Sequence, residues 1–259
     1  MVLQKSYRFD AGSVIGGLSR AVNHADADAA IALLEKADGE SLAYRQLQAD
    51  KSLIKSLAEQ IVSGYRPYLH ANDPAEALRR LGRFKILCAI NIGPLGVQAV
   101  NKLAEQVLSR TSLIQLDPGN ENPWYAGRPV LITRNNYQMG LFNGDIGIAM
   151  PAADAQNNAL DVFFAGNAGG VRRFRPHQLP QHETVYAMTV HKSQGSEFDE
   201  VLFILPDRDL PILTRELIYT ALTRARKKVT IWGPRAIIRS AIARKIERTS
   251  GLRDALWGG

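Results

Sequence analysis

Apolar spacing along the chain changes period several times, and each change predicts an element. Leu53, Ile54, Leu57, Ala58, Ile61 and Val62 recur at helical spacing, which predicts a helix over Asp50–Val62 with Gly64 as the residue just past its end. Asp73-Pro74-Ala75-Glu76 supplies an N-cap, a proline at the first helical position and a capping-box glutamate, so a short helix should reach about Leu81. Phe84 to Ile90 reads as a strand and Asn91 to Gly96 as a Gly-Pro loop. Val97 to Arg110 then reads as a helix carrying Val97, Val100, Ala104, Val107 and Leu108 on one face. From Pro123 to about Pro180 short β runs (RPVLIT, GDIGIAM, LDVFF, VRRFR) alternate with turn signals, the pattern of a small, strongly bent sheet or barrel. Val185 to Val190 alternates as a strand, whereas Val201 to Leu205 is the unbroken run that a parallel sheet buries on both faces.

The stretch LTRELIYTALTRARKK predicts a helix with start signals at Pro211 and Thr214 and Glu216 in its first turn. Leu217, Ala221 and Leu222 would face the sheet, and Arg224, Arg226, Lys227 and Lys228 would end the helix, the last three complementing its dipole. A final amphipathic helix follows Pro234 and carries Ile237, Ile238, Ala241, Ile242 and Ile246; the tail from Leu252 to Gly259 shows no further period. Near the start, Gly12, Ser13, Gly16 and Gly17 are too irregular for a dinucleotide fingerprint and read as turn and helix-start residues. Strand, loop and helix alternate in a way that implies an α/β fold, a parallel sheet flanked by helices, with a separate β-rich segment between Pro123 and Pro180.

Composition narrows the function class. The 259 residues, 46% hydrophobic and 22% charged, suit one or two globular domains. No apolar run approaches the ~20 residues of a membrane span and no signal-peptide pattern opens the chain, so a cytoplasmic location without membrane partners is expected. The single cysteine, Cys88, lies in FKILCAI and reads as a buried strand residue. His24, His70, His177 and His182 are scattered, and no metal site is expected. Net charge is +7, and ten Lys and Arg against one acid, Glu247, fall between Arg224 and Arg253, while Asp26 to Glu40 is mainly acidic. That asymmetry fits either nucleic-acid binding or a solvated basic face, and Arg172, Arg173 and Arg175 pose the same choice within the β-rich segment.

Candidate chemistry concentrates in HKSQGSEFD, a polar loop after a strand with His191, Lys192, Ser193, Gln194, Ser196 and Glu197 around Gly195. A histidine in such a loop is otherwise a solvent-exposed or loop-bracing residue, and Glu197 has no nucleophile or metal partner at a recognisable spacing. Arg224, between a helix and a strand, is suited to meet a γ-phosphate. The loop NIGPLG, with Asn91 and Gly93, either grips a DNA backbone through main-chain amides or only turns the chain.

TVHKSQGSEFD and YTALTRAR closely resemble motifs V and VI of superfamily 1 helicases, most of all the RecD family, alpha subunits of exodeoxyribonuclease V. LQKSYRFD resembles motif IV, and ILCAINIGPLGVQAVN, WYAGRPVLITRNN, GLFNGDIGIAM and ERTSGL are similar to the same family, so the resemblance covers almost the whole chain. It implies a second RecA-like motor domain in two parts, 1–120 and 183–259, with a small β-barrel inserted over 121–182. It further implies that Thr189 and His191 meet a DNA phosphate, that Gly195 and Glu197 approach the γ-phosphate and ribose, and that Arg8 and Arg224 stabilise transferred phosphoryl charge. No G-x-x-x-x-G-K-[ST] loop occurs in the sequence. ATP with Mg²⁺ is therefore expected only with a missing amino-terminal RecA-like domain, nothing is expected bound to this chain alone, and the expected partners are single-stranded DNA and RecB- and RecC-like subunits. Rival readings are a stand-alone DNA- or subunit-binding module and a piece of a relaxase-linked or phage-type helicase.

Overall fold

The computed structural model describes residues 13–37, 39–47, 51–117, 122–152, 159–166 and 169–245. In chain order the elements are α1 (Val14–Asn23), α2 (Ala27–Glu35), β1 (Leu42–Arg45), α3 (Lys51–Leu69), α4 (Pro74–Leu81), β2 (Phe84–Cys88) and α5 (Val97–Arg110). There follow β3 (Pro129–Ile132), β4 (Ile146–Pro151), β5 (Leu160–Ala165), β6 (Val171–Phe174), β7 (His182–Thr184), β8 (Ala187–Thr189), β9 (Phe198–Ile204), α6 (Arg215–Leu222), β10 (Ala225–Trp232) and α7 (Arg235–Ala243). Five strands make a wholly parallel sheet in the order β1-β10-β9-β2-β8, which is the expected α/β architecture.

Alternation along β9 explains why both faces need cover. Val201 and Phe203 join α1, α2, α6 and α7 in one core, whereas Leu202 and Ile204 join α3 and α5 in another. A fully buried side chain of this size contributes roughly 1.5–3 kcal/mol, so a strand buried on both sides belongs in the middle of the stack. Local signals act where they were read. Asp73 accepts from the Glu76 amide at 2.8 Å, Thr214 from the Leu217 amide at 3.3 Å, and Ser13 from the Gly16 amide at 3.1 Å.

Several expectations need correcting. Gly64 does not end a helix: α3 runs through it to Leu69. A Cβ at Gly64 would lie 2.2 Å from Cδ1 of Phe84, so this glycine serves close helix-on-sheet packing and tertiary contact outweighs its low helix propensity. Helix α6 stops at Leu222, and Arg226, Lys227 and Lys228 lie on β10 instead of in a last helical turn. Pairing of Ala225 with Phe198 and Val229 with Val201 claims that segment for the sheet. The β-rich segment is an open antiparallel sheet, β6-β5-β4-β3-β7, with β6 and β7 at its edges, and no pairing among the described residues closes it into a barrel. One reason is that Ile148, Met150 and Phe163 pack into the α3–α5 core, so that face is covered without closure. Arg8, Ile246, the ERTSGL stretch and the tail from Leu252 lie outside the described residues.

The basic and acidic stretches largely answer each other. Arg239 pairs with Asp28 at 2.5 Å and Arg235 with Glu35, joining α7 to α2. Arg226 meets Glu197 at 3.2 Å and Lys227 meets Asp199 at 2.9 Å. Arg173 and Arg175 flank the fully buried Asp161, and Arg172 donates to the Gly140 carbonyl at 2.6 Å and lies 3.6 Å from Asp145. Much of the charge asymmetry is thus used inside the fold.

Candidate functional site

Strand register places the candidate residues at two opposite ends of the parallel sheet. Cys88 pairs with both Thr189 and Ile204, so those two stand level across it. Phe198 begins β9 six positions earlier, ~20 Å lower at 3.3 Å per residue. The loop 190–197 therefore runs the height of the sheet, and His191 and Glu197 do not share one site.

At the carboxyl edge lie Thr189 and His191, with Asn91 and Gly93 on the loop that leaves the neighbouring strand β2. Thr189 Oγ1 accepts from the Lys192 amide at 3.2 Å, and the buried Ser193 hydroxyl donates to the Val190 carbonyl at 2.7 Å. These two bonds make a tight turn that leaves His191, Lys192 and Gln194 exposed. Lys192 reaches Glu183 at 2.7 Å. In the other loop, the amides of Val97 and Gln98 donate to the carbonyls of Ile90 and Asn91 at 3.1 and 3.2 Å, and the Gly96 amide donates to Gly93 at 3.0 Å. Helix-start amides that an anion would use are already engaged there, while the Asn91 side chain stays exposed.

Between the 190–197 loop and α6 opens a cleft of about 630 Å³, lined among others by His191, Gln194, Thr214, Glu216, Thr220 and Arg244. Arg244 braces one side, donating to Leu210 and Leu213 carbonyls at 2.7 and 2.8 Å and pairing with Asp209 at 2.9 Å. That guanidinium and the Ser240 hydroxyl hold the Asp209 carboxyl down to about 2.

At the amino edge stand Glu197, Arg224 and Arg226. Arg224 is 7% exposed. Its Nη1 donates to the Ser196 carbonyl at 3.0 Å and its Nε to Thr220 at 3.3 Å, which ties the end of α6 to the residues beside Gly195 and Glu197. Gly195 has φ +89°, a conformation that favours glycine, and an added Cβ there would meet nothing within 4 Å. Arg224 Nη2 lies 3.4 Å from Thr223 Oγ1, so each guanidinium nitrogen is engaged within the chain, beside the open turn at Gly195. No group of three or more His, Cys, Asp or Glu among the described residues could hold a metal ion.

Side chains that the sequence reading passed over position the strand-end loop. The crossing from β7 to β8 is tied at each of four successive residues by a different element. Arg128 donates to Thr184 Oγ1 at 3.0 Å, Lys85 to the Val185 carbonyl at 2.9 Å, and Tyr65 to the Tyr186 carbonyl. Asn101 bonds both main-chain groups of Ala187, at 2.8 and 3.0 Å, in the manner of a neighbouring strand. Tyr125 donates to Glu105 at 2.8 Å and sits 3.2 Å from the Tyr186 hydroxyl, and burial pushes both phenols well up. Signals for two of these were present: Asn101 falls on the apolar face of α5, and Lys85 interrupts an apolar strand.

A family model described as the UvrD-like helicase C-terminal domain matches residues 184–232, the span from β8 through β10. The RecBCD enzyme subunit RecD of Mycolicibacterium smegmatis is 38% identical over 98% of this chain, and that of Haemophilus influenzae is 32% identical over 98%. The chain is RecD-like along almost its whole length. It spans 43% and 40% of the lengths of those two RecD subunits. The ATP-dependent RecD2 DNA helicase of Deinococcus radiodurans is 34% identical over 64% of this RecD-like chain and 22% of its own length. Among solved structures, Pif1 helicase from Bacteroides in complex with ADP-AlF3 and ssDNA aligns at 16% identity over 88% of the chain and 51% of that protein, with a TM-score of 0.45.

Proposed function

We propose that this RecD-like chain is the carboxyl-terminal half of an ATP-dependent 5′–3′ DNA helicase, a subunit of an exodeoxyribonuclease V (RecBCD) complex acting in double-strand-break repair and recombination in the cytoplasm. The observation that carries the reading is the tie between Arg224 and Ser196, which joins the end of α6 to the loop whose other end forms the strand-end turn. Arg224, with Arg8, serves as the arginine finger, and Gly195 and Glu197 face the nucleotide. Thr189 and His191, with Asn91 and Gly93, hold single-stranded DNA at the opposite edge. ATP with its metal, when bound against a partnering amino-terminal RecA-like domain, supplies the phosphoryl transfer. The Arg224 guanidinium would meet its phosphates on giving up the Ser196 carbonyl, beside the open glycine turn, while the metal would be held by that other domain. Residues 121–182 form the inserted domain between the two parts of the motor domain.

Within the chain, coupling follows from connectivity. The 190–197 loop is a single crossing held at one end by Arg224 and at the other by the Thr189 turn, so a change in what Arg224 donates to strains a connection that ends in the DNA grip. Nucleotide favouring a closed arrangement of two domains would then alternate the grip between two positions. RecB- and RecC-like subunits are the partners.

ATP turnover with a single-stranded oligonucleotide tests this. The chain alone should show negligible turnover, and joined to a RecD-like amino-terminal half it should hydrolyse ATP. In the joined protein Arg224→Ala should lower turnover by ~10³ or more while DNA affinity stays within a few fold. Robust turnover by the chain alone, or unchanged turnover in the variant, refutes the assignment.

A further inference from the structure

Two of the large hydrophobic side chains that the fold leaves in water share one hairpin tip. Tyr137 is 78% exposed and Phe142 is 44% exposed, with ring centroids 5.9 Å apart at 74°. They sit on the β3–β4 connection, far along the chain from the 190–197 loop. The tip is built to hold them. Asn136 and Leu141 exchange main-chain bonds at 2.7 and 3.1 Å, and Leu141 is anchored in the core of the antiparallel sheet. Asp145 accepts from the Phe142 amide at 2.9 Å, Asn135 from the Asn143 amide at 2.7 Å, and Arg172 donates to the Gly140 carbonyl at 2.6 Å. An ordered turn that presents rings outward has already met the entropy cost that a floppy aromatic would meet on binding.

The chemistry around the rings selects an occupant. A groove of about 430 Å³ beside Tyr137 is lined by Arg134, Asn135, Asn136, Gln138 and Gln181, with Pro180 as its apolar part and no acidic residue. Protein hot spots centre an aromatic in a desolvated pocket, whereas this ring stands in water beside a cation, with no carboxylate in the groove to repel a polyanion. Asn135 and Asn136 hold the turn, accepting from the amides of Asn143 and Met139, which leaves Gln138 and Gln181 to read base edges, a guanidinium to meet phosphate and an exposed ring to stack on any base. We infer that the Tyr137–Phe142 tip is a stacking platform for single-stranded nucleic acid, a contact separate from the strand-end loop at Thr189 and His191. The inference rests on the reading of the chain as a single-strand binder but not on which loop residues grip.

Fluorescence anisotropy with a labelled oligothymidylate tests it on the whole 259-residue chain. Tyr137→Ala should weaken binding about tenfold, Tyr137→Phe should restore it, and Phe142→Ala should weaken it less. Stacking releases no counterions, so Tyr137→Ala should leave the salt dependence unchanged, whereas Arg134→Ala should lower the slope by about 0.7. Replacing the thymidines by abasic units should abolish the difference between Tyr137→Ala and the unaltered chain. Unchanged affinity in Tyr137→Ala overturns the platform, and a gain or loss of protein association in that variant with DNA affinity intact assigns the tip to a protein partner and overturns it equally. Weakening in His191→Ala with none in Tyr137→Ala keeps the loop grip and removes the platform. The reverse keeps the platform and removes the loop grip, and no binding by the unaltered chain removes both.

Discussion

Lys85 carries an amine into β2, with 0% of its surface exposed. Its Nζ donates to the Val185 carbonyl at 2.9 Å and lies 5.8 Å from the Phe198 ring centroid. Burial pulls the amine from its usual 10.5 down to about 7. In the unfolded chain the amine keeps its proton up to about 10.4. Between those two values the unfolded state binds one proton more than the folded state, so stability rises with pH across the window. A gap of about 3.5 pH units at about 1.36 kcal/mol each makes the handicap below pH 7 roughly 4 to 5 kcal/mol. Lys85→Met removes that handicap but leaves the Val185 carbonyl without its partner, a cost of about 1–3 kcal/mol. The variant should therefore be the more stable protein near pH 7, by about 1–3 kcal/mol. By pH 9.5 the natural chain should have regained about 3 kcal/mol, and the lead should pass to it. Urea unfolding of both proteins from pH 6.5 to 9.5 reads this directly, because the difference between them cancels every other titrating group. A difference that stays constant with pH, or one that moves in favour of the variant as pH rises, refutes the argument.

Two further substitutions test packing and charge. Gly64→Ala should destabilise by about 1–3 kcal/mol because its Cβ collides with the Phe84 ring, and pairing it with Phe84→Leu should cost less than the sum of the two; additive losses by thermal unfolding would show the contact is not the cause. Asp161→Ala should cost about 1–3 kcal/mol by urea unfolding at neutral pH, less than a fully buried pair because Arg173 and Arg175 keep water. A variant as stable as the natural chain at neutral pH would mean that those arginines are not held by the carboxylate.

Most elements were legible because their causes are local. Asp73, Pro74 and Glu76 start α4, and the face Val97, Val100, Ala104, Val107 and Leu108 of α5 is buried as its spacing implies. The corrected expectations share one cause, the intervention of distant chain, whereas α2 carries a local start signal that was passed over, Asp26 accepting from the Ala29 amide at 2.9 Å. Gly64 looked like an ending because the ring of Phe84 is invisible at that range, and Arg226 to Lys228 looked helical because the claim of β9 on them depends on strand order. Cys88 was read correctly as a buried strand residue, and its thiol is pushed up to about 12 by that burial.

The order of apolar and polar residues was enough to determine the α/β class and the starts of α4 and α6, since each depends on neighbours within a turn or a strand. Strand register decided the rest. It set His191 and Glu197 at opposite ends of one sheet, brought Arg224 to Ser196, and paired Arg226, Lys227, Arg235 and Arg239 with carboxylates from elsewhere in the chain. The physical reason is that a sheet joins residues through hydrogen bonds across the chain, and spacing along the chain carries no record of which strand lies beside which.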